Sequence, residues 1–147
     1  MQKEPVIIIT EDDDGHLGLI LYSLKKEGIT NEILQFKGGE QTLNFLFKRG
    51  DKPYREDGVK YILLLDIRLP GIDGIEVLRK LKEDKWVNNI PVIMVSTMDN
   101  PGEIDKCKKL GCESYFVKSP TYNEFAQTME QLGHYIKTVI FPAMDNQ

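Results

Sequence analysis

Polar side chains that could share one chemical task follow four separate apolar runs of this 147-residue chain. They are Glu11 and Asp12 after the first run, Asp66 after the second, Ser96 and Thr97 after the third, and Lys118 after the fourth. Two carboxylates about 4 Å apart repel by roughly 4 kcal/mol at an effective dielectric near 20, so crowded acids need either protons or a cation. Oxygen ligands without histidine or cysteine favour Mg²⁺ over zinc or copper.

An aspartate with a divalent cation, a lysine and a hydroxyl is typical of phosphoryl transfer to a carboxylate. Asp66 would attack phosphorus in line, Lys118 and the cation would neutralise phosphoryl oxygens, and Ser96 would donate a hydrogen bond. The sequence has neither a P-loop lysine motif nor a dinucleotide glycine fingerprint. The phosphoryl group would therefore come from another protein or from a small phosphodonor.

The elements that must position these residues are five strands alternating with five helices. Strands are predicted at residues 6–10, 32–36, 61–66, 91–96 and 114–117. The first and third are apolar throughout, which is typical of parallel strands covered on both faces. Right-handed crossovers then favour an α/β fold, a doubly wound five-stranded parallel sheet in the order 2-1-3-4-5. In that order, strands one and three are neighbours, so their acids meet where such folds bind ligands.

Length, composition and charge indicate a single domain over residues 1–147, with a core at about 5–140 and an apolar C-terminal extension at 135–147. The net charge of −4 argues against nucleic-acid binding. With no signal peptide and no apolar run long enough to span a membrane, we expect a cytoplasmic protein without membrane contact. Cys107 and Cys112 are expected to be packing residues, and His16 and His134 to face solvent outside the polar group.

The motifs around these residues resemble the receiver domain of two-component response regulators over roughly residues 5–140. The similar segments are Glu11-Asp12, LLLLDIRLPGIDG around Asp66, PVIMVSTMDN around Ser96 and SYFVKSP around Lys118. The resemblance implies the flavodoxin-like receiver fold and a phosphoryl group accepted by Asp66 from a histidine kinase. Such a protein is a signalling phosphoacceptor, which at most catalyses its own phosphotransfer and dephosphorylation, and not an enzyme acting on a separate substrate.

The same resemblance assigns the other roles at the site. Asp12, Asp66 and the main-chain carbonyl of Arg68 would ligate Mg²⁺, and Glu11 would act through water. The phosphoryl oxygens would be contacted by Ser96 and Lys118, and Thr97 would belong to the same catalytic group. Tyr115 would be the switch aromatic that changes rotamer when Ser96 moves toward the phosphate.

Three departures resemble the small single-domain regulators that partner phytochrome-type kinases. The chain has a long polar loop at residues 49–60, Lys118-Ser119-Pro120 where the family usually has Lys-Pro, and an extended C-terminal end. Such a regulator would signal through protein contacts. Apolar residues beyond those needed for one core-facing stripe, namely Tyr135, Val139, Ile140 and Phe141, predict a homodimer through strands 4 and 5, helix 5 and the extension.

Three alternative functions are compatible with parts of this sequence. A degenerate docking module that is never phosphorylated is the main one, because Lys118-Ser119 departs from the family pattern. A haloacid-dehalogenase-like phosphatase needs a second acid two residues after the nucleophile, where this chain has Arg68. A flavodoxin-like electron carrier needs a phosphate-binding loop after strand one, where this chain has four consecutive acids.

Overall fold

Five parallel strands form the central sheet of the computed structural model, which describes residues 4–145. The strands are β1 (Val6–Thr10), β2 (Ile33–Phe36), β3 (Tyr61–Leu65), β4 (Val92–Ser96) and β5 (Ser114–Val117). Their order is β2-β1-β3-β4-β5, so the predicted topology is confirmed. Each predicted strand lies within one residue of its position in the structure.

The register of the sheet aligns the strand ends that carry the polar residues. Thr10 of β1 pairs with Leu65 of β3, so Glu11 and Asp66 follow at the same level. Ser96 of β4 pairs with Val117 of β5, immediately before Lys118. The carboxyl ends of four strands therefore bring these side chains to one edge.

Side-chain caps mark the start of some of the helices, but not of all of them. The helices are α1 (Asp14–Lys26), α2 (Gly39–Phe47), α3 (Gly74–Glu83), α4 (Pro101–Leu110), α5 (Tyr122–Tyr135), a π-helical segment (Ile136–Ile140) and α6 (Phe141–Asp145). Asp73 accepts a hydrogen bond from the Glu76 amide at 2.9 Å, which caps α3. Asn100 caps α4 in the same way.

Both faces of the sheet are covered, which explains why the central strands are apolar throughout. Residues such as Ile8, Leu63 and Met94 pack beneath α2, α3 and α4. Their neighbours Ile7 and Ile62 point to the other face, beneath α1 and α5. Within residues 4–145, each helix is too short or too polar to cross a membrane.

The C-terminal end folds back onto this core. Leu132, Ile136, Ile140 and Met144 recur every four residues and are all buried. An α-helix turns about 100° per residue, so residues four apart drift around it by about 40° at each step. The π-helical segment has more residues per turn and keeps the series on one face. The core therefore extends to Met144, past the predicted limit near residue 140.

The long loop at residues 49–60 packs against α2 and the start of β3. The Arg55 amide donates to the Phe45 carbonyl at 3.0 Å, and its side chain donates to the Leu46 carbonyl at 2.7 Å. The Glu56 amide donates to the Tyr61 hydroxyl at 2.9 Å. This loop lies at the amino end of the sheet, away from the acids.

Candidate acidic site at the carboxyl end of the sheet

Three carboxylates converge at the carboxyl ends of β1 and β3. Glu11, Asp12 and Asp66 each offer one oxygen, and these three oxygens all lie within 4.8 Å of one another. Glu11 and Asp66 are buried, whereas Asp12 is exposed at the mouth of the site. This donor set, with one solvent-facing acid and only oxygen ligands, fits a hexacoordinate divalent cation such as Mg²⁺ that keeps part of its water shell.

A buried lysine joins the carboxylates from β5. Lys118 is 2% exposed, and its amide donates to the Ser96 carbonyl at 2.7 Å, which fixes the start of its side chain. Its ammonium donates to Glu11 Oε1 and, at 3.0 Å, to Asp66 Oδ2. A buried ammonium is stable only when it is paired and hydrogen-bonded, and these two carboxylates supply the opposite charge.

Burial in this site shifts the pKa of Glu11 upward. Burial raises the pKa of the Glu11 carboxyl to about 7, because desolvation outweighs the lowering effect of Lys118, and the charge of Asp66 raises it further. A bound proton or cation would stabilise these acids, because either one reduces the buried negative charge. The raised pKa of Glu11 therefore agrees with a site at which a divalent cation balances the charge of the acids.

The segment after β3 returns toward Asp66. The Arg68 amide lies 3.4 Å from Asp66 Oδ1, and the amide of Gly74 donates to the Ile67 carbonyl at 2.8 Å. The main chain of Arg68 is therefore beside the carboxylate, while the metal contact of its carbonyl stays a prediction. On the opposite side of the site, the Lys118–Ser119 peptide bond is trans; within residues 4–145 the cis bond is Lys52–Pro53.

The main chain of Met98 links the two residues assigned to the switch. Its amide donates to Ser96 Oγ at 3.2 Å, and its carbonyl accepts from the Tyr115 hydroxyl at 2.5 Å. Ser96 is buried and Tyr115 is half-buried, and burial raises the pKa of Tyr115 to about 12. Thr97 is exposed next to Ser96. A displacement of Ser96 would therefore reach Tyr115 through one residue.

His16 lies at this site, so the prediction that it faces solvent outside the group is wrong. Its Nδ1 is 3.1 Å from the Lys118 ammonium, and its side chain is about one third exposed. His16 is in the first turn of α1, which begins at the same sheet edge, and this position was the available signal. His134 is exposed and pairs with Glu27 at 3.1 Å, as its expected solvent position allows.

The fold and this arrangement of acids, lysine and serine at the sheet edge define the class of flavodoxin-like receiver domains. A family model described as "Response regulator receiver domain" matches residues 7–130. The chain belongs to this family of response regulator receiver domains.

Individual relatives point to a narrower group. The Synechocystis protein "Response regulator Rcp1" is 27% identical over 139 residues, covering 94% of this chain and 93% of its own. The Mn²⁺-bound crystal structure of Rcp1 superposes with a TM-score of 0.79, at 25% identity, over 93% of this chain and 94% of that one.

Two other solved structures superpose equally well. A receiver domain from Rhodospirillum rubrum has a TM-score of 0.82 at 33% identity, covering 91% of this chain and 94% of that one. The phosphorylated cyanobacterial phytochrome response regulator RcpA has a TM-score of 0.81 at 26% identity, covering 92% and 96%. The chain is thus similar to single-domain regulators associated with phytochromes, as its sequence predicts.

Proposed function

We propose that this protein is a stand-alone response regulator that accepts a phosphoryl group from a histidine kinase on Asp66. The observation that carries the proposal is the position of Asp66 Oδ2, 3.0 Å from the Lys118 ammonium and beside two further acids. In the transfer, a bond forms between an Asp66 oxygen and phosphorus while the bond from phosphorus to the kinase imidazole breaks. The electron pair of that bond leaves with the imidazole nitrogen.

Each residue of the site has a separate task in this proposal. Asp12, Asp66 and the Arg68 carbonyl would hold Mg²⁺, with Glu11 acting through water, and the bound cation supplies positive charge next to the phosphoryl oxygens. Lys118 already donates to Asp66 and can share its protons with an incoming phosphoryl oxygen. Ser96 supplies a hydroxyl at the adjacent strand end, and Thr97 remains a predicted participant.

Phosphorylation by a small donor tests this proposal against an unphosphorylated docking module. Acetyl phosphate with Mg²⁺ should add the mass of one phosphoryl group to the intact protein. Asp66→Asn and chelation by EDTA should each abolish the adduct, whereas Asp105→Asn, which changes an exposed acid paired with Lys109, should keep it. A wild-type protein that gains no phosphoryl mass would favour the docking module. The sequence argument for that module is Ser119, which stands where the family usually has proline.

The proposed kinase partner is a phytochrome-type sensor. The similarity to Rcp1 and to a phytochrome regulator supports this assignment. A purified phytochrome-type histidine kinase carrying phosphohistidine should transfer its label to this protein faster than a histidine kinase of another sensory class. Equal or slower transfer from the phytochrome-type kinase would contradict the partner assignment while leaving the chemistry at Asp66 intact.

We also propose that the protein forms a homodimer through β4, β5, α5 and the C-terminal extension. The signal would leave this protein through protein–protein contacts. The structure reduces the apolar surplus that suggested it, because Ile140 is buried and Tyr135 and Phe141 are half-buried against the core. Val139 remains 47% exposed on this face. Val139→Asp should shift sedimentation from dimer to monomer without loss of folding. A monomeric wild type, with and without beryllofluoride, would contradict the dimer.

A further inference from the structure

The ammonium of Lys118 uses each of its three protons. An ammonium group has three donors and no acceptor, and its partners are Glu11 Oε1, Asp66 Oδ2 and His16 Nδ1. Because Lys118 is 2% exposed, solvent water has little access to replace a lost partner. His16 is the uncharged member of this set when its ring is neutral.

This inference rests on the proposed function. Under that function, Glu11 and Asp66 have roles that compete with their hydrogen bonds to Lys118. Asp66 receives the phosphoryl group, and Glu11 and Asp66 belong to the acid cluster that fits the cation. Their contacts with Lys118 must therefore be redistributed when the site is loaded. His16 contributes no ligand to that cluster, so its contact with Lys118 can persist.

The ring of His16 has two further neighbours besides Lys118. Its Nε2 lies 4.0 Å from Asp13 Oδ2, and its ring centroid is 5.0 Å from that of Phe125. The main-chain amide of His16 donates to Asp13 Oδ1 at 2.9 Å, which fixes the backbone at the start of the side chain. Facing an ammonium, Nδ1 is assigned as the acceptor, which places the proton of a neutral ring on Nε2, the side of Asp13. The lone pair of Nδ1 is thus directed at Lys118.

We propose that His16 is a positioning residue that holds the Lys118 ammonium between the carboxylates and the incoming phosphoryl group. Lysine carries its charge on a flexible four-carbon stem, so the charge needs a fixed acceptor to stay in place. Without Nδ1, one ammonium proton loses its buried partner and Lys118 turns toward Asp66. A closer ammonium stabilises the free carboxylate of Asp66 and makes it a poorer nucleophile.

Substitutions at His16 test this role in the full-length protein with acetyl phosphate and Mg²⁺. His16→Leu removes the acceptor and keeps an apolar side chain against Phe125, whereas His16→Asn restores an acceptor at the position of Nδ1. We expect His16→Leu to lower the saturating phosphorylation rate about tenfold, as for loss of a hydrogen bond to a charged group. The half-saturating acetyl phosphate concentration should change by less than about twofold, since uniform binding is unaffected.

The comparison between the two variants separates positioning from packing. His16→Asn should recover most of the rate, and His134→Leu, a change at the exposed histidine of α5, should leave it unchanged. A wild-type rate in folded His16→Leu, or equal losses in His16→Leu and His16→Asn, would overturn the proposal.

A double-variant cycle keeps the inference distinguishable from the proposed function. The urea concentration at the midpoint of unfolding is measured without Mg²⁺ for each single variant and for the double variant His16→Leu/Lys118→Met. The double variant should lower this midpoint by less than the sum of the two single variants, because both substitutions remove the same contact between His16 and Lys118. Additive losses would contradict the positioning contact. If the two substitutions are coupled but the wild-type protein takes up no phosphoryl group, the proposed function is overturned and the contact between His16 and Lys118 stands.

Discussion

The main-chain carbonyl oxygen of Asp66 lies 2.0 Å from the point that a Cβ atom on Gly74 would occupy. The same point lies 2.8 Å from Cα of Ile67. The segment after β3 therefore folds back until the first residue of α3 touches the backbone of the proposed phosphoacceptor. Only a residue without a side chain permits this approach. The contact between α3 and the main-chain carbonyl of Asp66 therefore helps to fix the backbone conformation at Asp66.

Gly74→Ala should destabilise the protein by about 3 kcal/mol, because the new methyl group meets backbone atoms that cannot move aside cheaply. Gly18→Ala is the matched control: it lies in α1 with nothing within 4 Å of its Cβ position and should stabilise by ~0.5–1 kcal/mol through helix propensity. Urea unfolding followed by circular dichroism measures both. Equal stability of Gly74→Ala and wild type would contradict the contact.

Lys118→Met should make the stability of the protein strongly dependent on Mg²⁺. The substitution leaves Glu11 and Asp66 buried without their positive partner, and removing one member of a buried pair costs about 3–5 kcal/mol. A cation bound by the same acids replaces that charge and stabilises the folded state by mass action. Thermal unfolding should therefore show a larger gain on adding Mg²⁺ in the variant than in wild type.

The matched control for this prediction is Lys82→Met. Lys82 is half-buried, whereas Lys118 is buried; Lys82 donates to the main-chain carbonyls of Asn88 and Ile90 and forms no ion pair with a carboxylate among the described residues. Its loss should lower stability without changing the response to Mg²⁺. A similar Mg²⁺ response in both variants would argue against a cation among the acids of β1 and β3.

The sheet order and the meeting of the strand ends could be predicted from the sequence for a simple physical reason. Continuous apolar strands such as β3 belong in a covered parallel sheet, and topology alone then brings Asp66 and Lys118 to the same edge. Neither step needs knowledge of side-chain conformations. The roles of Asp66 in phosphoryl transfer and of Arg68 in metal binding go beyond that placement.

Other features depend on contacts that sequence periodicity does not encode. His16 is polar and sits among acids in a first turn, so its pattern is that of an exposed residue; its contact with Lys118 depends on the rotation of α1. Met144 lies beyond Pro142, which interrupts helical patterns, and its burial depends on the π-helical segment before it. Both features depend on the orientation of a helix and leave the order of the elements unchanged.

Ser96 and Tyr115 should respond together to a phosphate mimic. If the Ser96 hydroxyl turns to the mimic, the Met98 amide loses its acceptor, and the Met98 carbonyl that holds the Tyr115 hydroxyl shifts with it. With 3-fluorotyrosine incorporated, beryllofluoride and Mg²⁺ should shift one ¹⁹F resonance, assigned by Tyr115→Phe. The shift should be absent in Ser96→Ala. An unchanged Tyr115 resonance in wild type, with the mimic bound, would contradict the coupling.

The two cysteines should differ in reactivity because Cys107 is buried within α4, whereas Cys112 follows the helix and is half-buried. The Cys112 amide donates to the Cys107 carbonyl at 3.1 Å across Gly111, whose φ of 103° ends the helix. Cys107 is fully buried, and burial raises the pKa of its thiol to about 11; Cys112 is half-buried, and burial also raises its pKa above the usual value. Both residues should therefore be poor nucleophiles at neutral pH.

Iodoacetamide should modify Cys112 well before Cys107 in the folded protein. Because the thiolate is the reactive form and its fraction rises about tenfold per pH unit below the pKa, the rate at Cys112 should increase steadily between about pH 7 and pH 9 without a plateau. Intact mass measured over time gives both rates, and Cys112→Ser should remove the faster adduct and leave the slower one. A plateau below pH 8 or earlier labelling of Cys107 would contradict the burial of these thiols, and with it the packing of α4 against the sheet.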